Sequence, residues 1–160
     1  MKDSIFHLKP WAPRLTEVAN SIIKKIHQAT PELEVLFMGA AALGLPGKND
    51  IDLDILCDIN HLAKYKDILT PVLGEPKEST DKLVAWEFTQ EGFEIDAILS
   101  DPATSHVPEQ LATFEKLKSD PGLLEEYKRL KETCDGMPYS EYEQRKKSFF
   151  NERVLAGRKD

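Results

Sequence analysis

Residues 38–56 of the chain read MGAAALGLPGKNDIDLDIL. Small residues follow Gly39, an LPGKN segment with the composition of a turn comes next, and carboxylates then alternate with aliphatic residues. An alternation of period two is typical of a β-strand, which we expect over Asp50–Leu56. Three acidic side chains would project from one face of that strand. They are Asp50, Asp52 and Asp54.

Three carboxylates on one strand face repel one another, and burying any of them without a partner costs free energy. A divalent cation is the usual compensation, and carboxylate oxygens suit Mg²⁺ or Mn²⁺. Two loop motifs with a similar sequence pattern are excluded. An EF-hand needs Gly where the chain has Ile55, and a P-loop needs Gly where it has Ala42. An exposed strand with solvated acidic side chains is the alternative interpretation.

The segments on either side of the acidic strand predict further elements. Apolar residues recur at helical spacing over Arg14–Gln28, and Thr30-Pro31 ends that helix. Short apolar runs predict strands over Glu34–Met38, Lys82–Phe88 and Phe93–Leu99. The last two runs are separated by a short turn, so we expect a hairpin.

Four more helices are predicted, three of them from capping signals. Asn60 is expected to cap the first of them, which ends before the last two strands. After these strands the pattern is helical, with one helix over Pro108–Lys118 and another opened by Asp120-Pro121. A capping box that begins at Ser140 starts the last helix.

Composition limits the partners of this protein. Its 160 residues include 28 acidic and 21 basic side chains, a net charge of −7. Because binding to long nucleic acid depends on neutralising phosphates, we expect a small-molecule or protein partner instead. No apolar run reaches the ~20 residues of a membrane span, and Met1–Lys9 lacks the apolar core of a signal peptide. Two isolated cysteines complete a pattern that predicts a cytoplasmic protein.

The order of an apolar strand, Gly39, small residues and an acidic strand resembles the polymerase-β-like nucleotidyltransferase superfamily. That resemblance implies a small mixed twisted sheet, hence an α/β (α+β) fold, with an N-terminal helix and a C-terminal helical segment. It also implies a third carboxylate from a later strand, which Asp96 supplies. The implied chemistry is phosphoryl transfer assisted by two cations bound between the carboxylates. Asp50, Asp52 and Asp96 would be the catalytic residues.

Within that superfamily the chain resembles the GrpB family of small proteins over about residues 38–154. The stretch before the acidic strand matches approximately, and the helical tail matches better. The matching residues are Gly39, Gly44, Gly47, Lys48, Thr113, Phe114, Pro121, Tyr127, Leu130, Lys131, Tyr142, Lys146, Phe149 and Phe150. The resemblance implies a fold more directly than an activity. Lys48 before the acidic strand and Lys131 and Lys146 in the helical tail are candidate phosphate ligands because of their charge, although a solvated position is the alternative for each lysine.

Two departures from the superfamily pattern affect the candidate site. Ala40 follows Gly39 where Ser or Gly is usual, so only backbone N–H groups of Gly39 and Ala40 could bind phosphate there. The acidic strand also has three aspartates where two are expected. Counting from Gly39 selects Asp50 and Asp52 as metal ligands, counting from Lys48 selects Asp52 and Asp54, and Asp52 is common to both.

We therefore expect one nucleotidyltransferase-like domain over residues 1–160, with the sheet in 1–101 and a helical tail over 102–160 packed on it. The expected function is Mg²⁺-dependent (or Mn²⁺-dependent) transfer of a nucleotidyl group from an NTP to a small-molecule or protein acceptor. The alternative is an inactive nucleotidyltransferase fold that senses nucleotides or binds a protein partner. A domain without any metal is a third interpretation.

Overall fold

Helices and strands alternate along the first hundred residues, and the remainder is helical. The computed structural model describes residues 3–155. The helices are α1 (Arg14–Ala29), α2 (Gly39–Ala42), α3 (Leu62–Leu73), α4 (Val107–Ser119), α5 (Pro121–Cys134) and α6 (Tyr139–Phe149). The strands are β1 (Glu34–Met38), β2 (Asp50–Leu56), β3 (Glu78–Ser79), β4 (Leu83–Gln90) and β5 (Phe93–Ser100). A 3₁₀ turn (Ile59–His61) precedes α3, and a π-helical turn (Phe150–Val154) follows α6.

The five strands form one mixed sheet in the order β1-β2-β5-β4-β3. Strands β2 and β5 are parallel, and the other neighbours are antiparallel. The predicted α+β fold with a small mixed sheet is therefore confirmed. The two-residue strand β3 was not predicted, because two residues are too few to show an alternation.

The two faces of β2 have different neighbours. Ile51, Leu53 and Ile55 are fully buried in a core that includes the apolar faces of α1 and α3. The aspartates of β2 alternate with these residues, so they lie on the opposite face of the sheet. Side chains of α4, α5 and α6 lie across a cavity from that face.

An N-terminal segment ties the tail to the loop before β2. The Phe6 amide donates a hydrogen bond of 2.8 Å to the Met137 carbonyl, and the Phe6 ring stacks on Tyr142 with centroids 3.9 Å apart. Lys9 and Gly47 exchange two backbone hydrogen bonds, of 2.7 and 3.1 Å. The segment therefore fixes α6 relative to the LPGKN loop.

One of the three predicted helix caps is confirmed. Asp120 accepts a hydrogen bond of 3.0 Å from the Leu123 amide at the start of α5. Asn60 is not a cap, because the 3₁₀ turn comes first and Asp58 accepts the bond, from the Asn60 amide at 2.8 Å. The Ser140 capping box is also wrong. α6 begins at Tyr139, two residues earlier than that box requires, and the Ser140 amide donates to Asp3 at 3.1 Å, so the cap comes from the other end of the chain.

Among residues 3–155, none of the helices is both long enough and apolar enough to cross a membrane.

Candidate metal and nucleotide site

Three carboxylates meet at the end of β2 that follows the LPGKN loop. Asp50 and Asp52 lie on β2, and Asp96 lies directly opposite Asp52 on the parallel strand β5. One oxygen from each of the three side chains lies within 4.8 Å of the other two, and all three residues are partly buried. An arrangement of this kind could hold a divalent cation, because its ligands are hard oxygens on neighbouring strands.

The negative charge of this triad is only partly compensated by the protein. Burial, followed by the charges of Asp50 and Asp96, raises the pKa of Asp52 to about 7. Burial and nearby carboxylates also raise the pKa of Asp96. Lys48 Nζ lies 3.9 Å from an oxygen of Asp50, and Lys146 opposes the shift at Asp52 without cancelling it. The residues present therefore fit a bound cation, which would neutralise the remaining charge.

The backbone of Gly39 lies against the triad. Gly39 has φ +81°, and a Cβ built on it would stand 2.6 Å from Asp52 Oδ2. Both the left-handed backbone and the close approach require glycine at this position. The small-residue turn predicted from the sequence therefore contacts Asp52, the metal ligand selected both by counting from Gly39 and by counting from Lys48.

Ala40 lies in the four-residue helix α2, beside the triad. Its side chain packs on the apolar cluster that includes Leu45 and Tyr127, and a Cβ on Gly47 would lie 3.4 Å from the Ala40 Cβ. Ala40 has no hydroxyl group, so its side chain cannot donate to a phosphate.

Asp54 lies apart from the other three carboxylates. It projects from the same face of β2 but pairs in register with Leu36 and Ile98. Only 8% of its surface is exposed, and burial raises its pKa. The geometry therefore favours the count from Gly39, because it groups Asp50 and Asp52, and not Asp54, with Asp96.

The carboxylate face opens into a cavity of about 980 Å³. Its walls come from β2 and β5, from α2 and the LPGKN loop, and from the helical tail. The polar or aromatic side chains of the tail on these walls are His106, Glu109, Gln110, Thr113, Phe114, Tyr127, Lys131, Tyr139, Tyr142, Glu143, Gln144, Lys146, Lys147, Phe150 and Asn151. The cavity therefore joins the two regions in which the sequence predicted functional residues.

Lys131 is the most buried lysine of the candidate set. Only 4% of its surface is exposed, so a solvated position is wrong for this residue. Its Nζ donates a hydrogen bond of 3.0 Å to the Tyr142 hydroxyl and lies 4.9 Å from the centroid of the Tyr127 ring. Burial lowers the pKa of Lys131. The aromatic rings hold this ammonium at the cavity wall without a direct carboxylate partner among residues 3–155.

Lys48 and Lys146 also line the cavity. Lys48 donates a hydrogen bond of 3.1 Å to the Tyr139 hydroxyl, and this interaction helps to raise its pKa although burial opposes the shift. Lys146 is half-buried beside Tyr142. Burial alone would lower the pKa of Lys146, but nearby acidic and phenolic groups raise it. The three lysines thus face one space with the triad.

Sequence reasoning missed two residues that shape this cavity. Tyr139 binds Lys48, and Phe6 covers the tyrosine that binds Lys131. Neither residue belongs to a motif that indicates a site. Their roles depend on contacts between the N-terminal segment, the LPGKN loop and α6, which no local pattern predicts.

The fold is that of solved nucleotidyltransferases. The Cid1 poly(U) polymerase with MgGTP bound aligns with a TM-score of 0.51 and 19% identity, over 72% of this chain and 41% of that chain. A cytoplasmic RNA terminal U-transferase aligns with a TM-score of 0.49 and 20% identity, over 72% and 38% of the two chains. The chain thus spans about two fifths of the solved chains that it matches. No family model and no curated relative matches, so membership of the GrpB family stays a prediction.

Proposed function

We propose that this protein is a nucleotidyltransferase that binds an NTP with a divalent cation and transfers its nucleotidyl group to an acceptor hydroxyl. The observation that carries the proposal is the carboxylate triad on two neighbouring parallel strands, in a fold of the nucleotidyltransferase type. The triad faces a cavity that also contains three lysines. Carboxylates and ammonium groups that line one cavity suit a triphosphate and its cation.

Asp50, Asp52 and Asp96 would hold the cation, with Asp54 as a further ligand only if the site extends along β2. Mg²⁺ or Mn²⁺ bound there would supply Lewis-acid stabilisation of the charge that develops on the phosphate oxygens. The surrounding protein contributes a rigid pair of strands, since the register of β2 and β5 fixes Asp52 opposite Asp96. A preorganised site of this kind stabilises charge without reorganising during the reaction.

The side chains have distinct roles in the transfer step. The acceptor oxygen attacks the α-phosphorus and forms a new P–O bond, while the bond from the α-phosphorus to the bridging oxygen breaks and pyrophosphate leaves. Asp96 would also help to hold the cation that activates the acceptor hydroxyl, and its oxygen not bound to that cation would take the hydroxyl proton. Lys48, Lys131 and Lys146 bind the triphosphate, and the backbone amides of Gly39 and Ala40 face it from the small-residue turn.

Ala40 favours a second candidate function, an inactive fold that only binds nucleotides or a protein partner. Without a hydroxyl group at this position the terminal phosphates lose one donor. The intact triad favours catalysis, since a module without chemistry has no need for three adjacent carboxylates. Turnover distinguishes the two: labelled NTP with Mg²⁺ or Mn²⁺ yields pyrophosphate and a labelled acceptor only if the protein is an enzyme.

Nucleotide binding to the Asp52→Asn variant tests the site itself. We expect calorimetry with Mg²⁺ and a non-hydrolysable NTP to show binding to the wild type and none to this variant. Glu34→Gln is the matched control, because Glu34 is exposed on β1, pairs with Leu56 at the far end of β2, and lies outside the triad and the cavity lining. Equal binding by Asp52→Asn and the wild type would contradict the proposed site.

A further inference from the structure

The N-terminal segment, residues 3–9, is hydrogen-bonded to three parts of the chain that position the cavity lysines. Its Lys9 exchanges two backbone hydrogen bonds with Gly47 in the LPGKN loop. The Phe6 carbonyl accepts a hydrogen bond of 2.8 Å from the Gly136 amide, in the turn between α5 and α6. The segment also binds the first residues of α6. One short stretch of backbone thus connects the elements from which all the lysines of the cavity wall come.

The ammonium group of Lys131 has two neighbours that this segment holds in place. The Tyr142 hydroxyl accepts a hydrogen bond of 3.0 Å from Lys131 Nζ, and the Phe6 ring is stacked on Tyr142 with an angle of 7° between the ring planes. The other neighbour is the backbone of Gly47, where a built Cβ would lie 3.8 Å from Lys131 Nζ. The segment therefore contacts one neighbour through the Phe6 ring and the other through the Lys9 backbone.

The Phe6 ring is almost completely enclosed. It lies at the cavity wall but is only 1% exposed, and it packs with Cys134 and Tyr142 in a small apolar cluster. Its centroid is 5.9 Å from Lys131 Nζ, farther than the centroid of the Tyr142 ring at 5.4 Å. A ring without polar groups and with almost no exposed surface offers a phosphate nothing to bind. Any influence of Phe6 on a ligand therefore passes through its neighbours.

The position of the Lys131 ammonium group depends on these aromatic contacts. A lysine side chain is flexible and loses rotamer freedom when it is fixed in one place. Among residues 3–155 no carboxylate forms an ion pair with Lys131, so the Tyr142 hydroxyl and the surrounding rings hold it. A side chain that is ordered in advance binds an anion more tightly, because the cost of ordering it is not part of the binding free energy.

On the basis of the proposed function, we propose that Phe6 is a positioning residue for the nucleotide site. The Phe6 ring fixes the Tyr142 ring, the Tyr142 hydroxyl fixes the Lys131 ammonium group, and this group binds the triphosphate. Phe6 itself contacts neither the nucleotide nor the cation. The N-terminal segment, which contributes no residue to the triad, thereby sets the affinity of the cavity for nucleotide.

Phe6→Leu tests the proposal, because leucine keeps an apolar side chain in the cluster but removes the stacked ring. Binding of a non-hydrolysable ATP analogue with Mg²⁺ to the full chain is measured by calorimetry, at a temperature well below the Tm of every variant. We expect Phe6→Leu to bind the analogue roughly threefold to tenfold more weakly than the wild type, as the loss of an aromatic pair predicts. The loss should not exceed that of Lys131→Met, since Phe6 acts through this lysine.

Leu8→Ala is the matched control. Leu8 belongs to the same segment and packs on the same apolar cluster as Phe6, but it lies outside the cavity lining. This variant should lose stability and keep the wild-type affinity for the analogue. Equal losses of affinity in Leu8→Ala and Phe6→Leu would show that the site depends on the packing of the segment in general and not on the ring stacked on Tyr142, and would overturn the proposal.

A double-mutant cycle provides a readout that a purely structural role of Phe6 would not produce. In the Lys131→Met background, Phe6→Leu should cause no further loss of affinity. Losses that simply add would mean that Phe6 does not act through Lys131, and would overturn the proposal. Tyr142→Phe keeps the stacked ring but removes the hydroxyl group that accepts from Lys131. It should show the same dependence on Lys131, which keeps the test valid if Phe6→Leu fails to fold.

The same titrations separate this inference from the proposed function. If the wild type and Phe6→Leu bind the analogue equally well, the positioning role is wrong and the nucleotide site stands. If the wild type binds no nucleotide, the proposed function is wrong and the inference is wrong with it.

Discussion

The carboxylate of Asp52 lies against the α-carbon of Gly39, so close that a Cβ on Gly39 would stand 2.6 Å from Asp52 Oδ2. Real Cβ atoms do not approach an oxygen to this distance, and the oxygen here belongs to the most central carboxylate of the triad. The turn after β1 and the acidic strand β2 are therefore coupled through this contact. Substitutions in the turn should change the carboxylate site even though they remove no ligand.

Gly39→Ala should abolish binding of Mg²⁺ and nucleotide, because the new methyl group displaces the Asp52 carboxylate. It should also lower the free energy of unfolding by roughly 1–3 kcal/mol, since an L-residue at positive φ is strained. Calorimetry with Mg²⁺ and a non-hydrolysable NTP measures the first effect, and urea unfolding measures the second.

Gly44→Ala is the matched control for this prediction. Gly44 has φ +73°, but a Cβ on it would meet no atom within 4 Å. The control variant therefore has the same backbone strain without the clash, and it should lose stability while it keeps nucleotide binding. Equal binding losses in the two variants would show that backbone strain alone, and not the contact with Asp52, disturbs the site.

The stability of the metal-free protein should fall as the pH rises from about 4 to about 7. Asp52 has its pKa raised in the folded state from 3.8 to about 7, so the folded protein retains a proton that the unfolded chain releases. This destabilising contribution of Asp52 is absent at a pH below both pKa values and complete above pH 7. At about 1.4 kcal/mol per pKa unit, it then lowers the free energy of unfolding by on the order of a few kcal/mol. Asp52→Asn lacks it.

Thermal unfolding across this pH range measures the effect. The Tm of Asp52→Asn should exceed that of the wild type by an amount that increases from pH 4 to pH 7, and saturating Mg²⁺ should raise the Tm of the wild type only. Glu34→Gln removes an exposed carboxylate of the same sheet, far from the triad, and serves as the control. A constant difference between wild type and Asp52→Asn at every pH would contradict a raised pKa at this residue.

Metal affinity should depend on the same proton. A cation binds the ionised carboxylate, so below pH 7 it must displace the proton of Asp52, and its affinity should fall by up to tenfold per pH unit. Above pH 7 the affinity should level off. Titration with Mn²⁺, followed by its paramagnetic effect on solvent relaxation, measures this dependence. An affinity that stays constant between pH 5 and pH 8 would exclude Asp52 as a ligand.

How far the sequence predicts this molecule depends on whether a feature is local. The alternation of carboxylates and aliphatic residues in β2 is local, and it correctly predicts a strand with an acidic face and an apolar face. The Asp120 cap is likewise encoded within four residues. By contrast, α6 is capped by Asp3, which is 137 positions away, and the nearby Ser140 motif is misleading for that reason.

The candidate site divides in the same way. Asp50 and Asp52 follow from one strand, whereas the place of Asp96 beside Asp52 depends on the parallel pairing of strands that are 44 positions apart in register. The resemblance to a known superfamily pointed to Asp96, and periodicity alone did not. The burial of Asp54 and of Lys131 follows from how the helical tail covers the sheet. Packing of this kind leaves no signal in the spacing of residues.

Lys131 provides the last prediction, because its burial and its charge oppose each other. Lys131 is 4% exposed, and among the residues that the structure describes its ammonium group has a tyrosine hydroxyl but no carboxylate as its direct partner. Replacing it with the similarly shaped apolar side chain of methionine should therefore leave stability unchanged or raise it. If Lys131 binds the triphosphate, Lys131→Met should nevertheless weaken nucleotide binding by about tenfold or more, the value of a hydrogen bond to a charged group. Lys128→Met, on the same helix and outside the cavity lining, is the control. The free energy of unfolding and the affinity for nucleotide, measured on both variants, distinguish a phosphate ligand from a packing residue. If Lys131 only supports the packing of Tyr142, Lys131→Met would lower stability and leave the affinity for nucleotide unchanged.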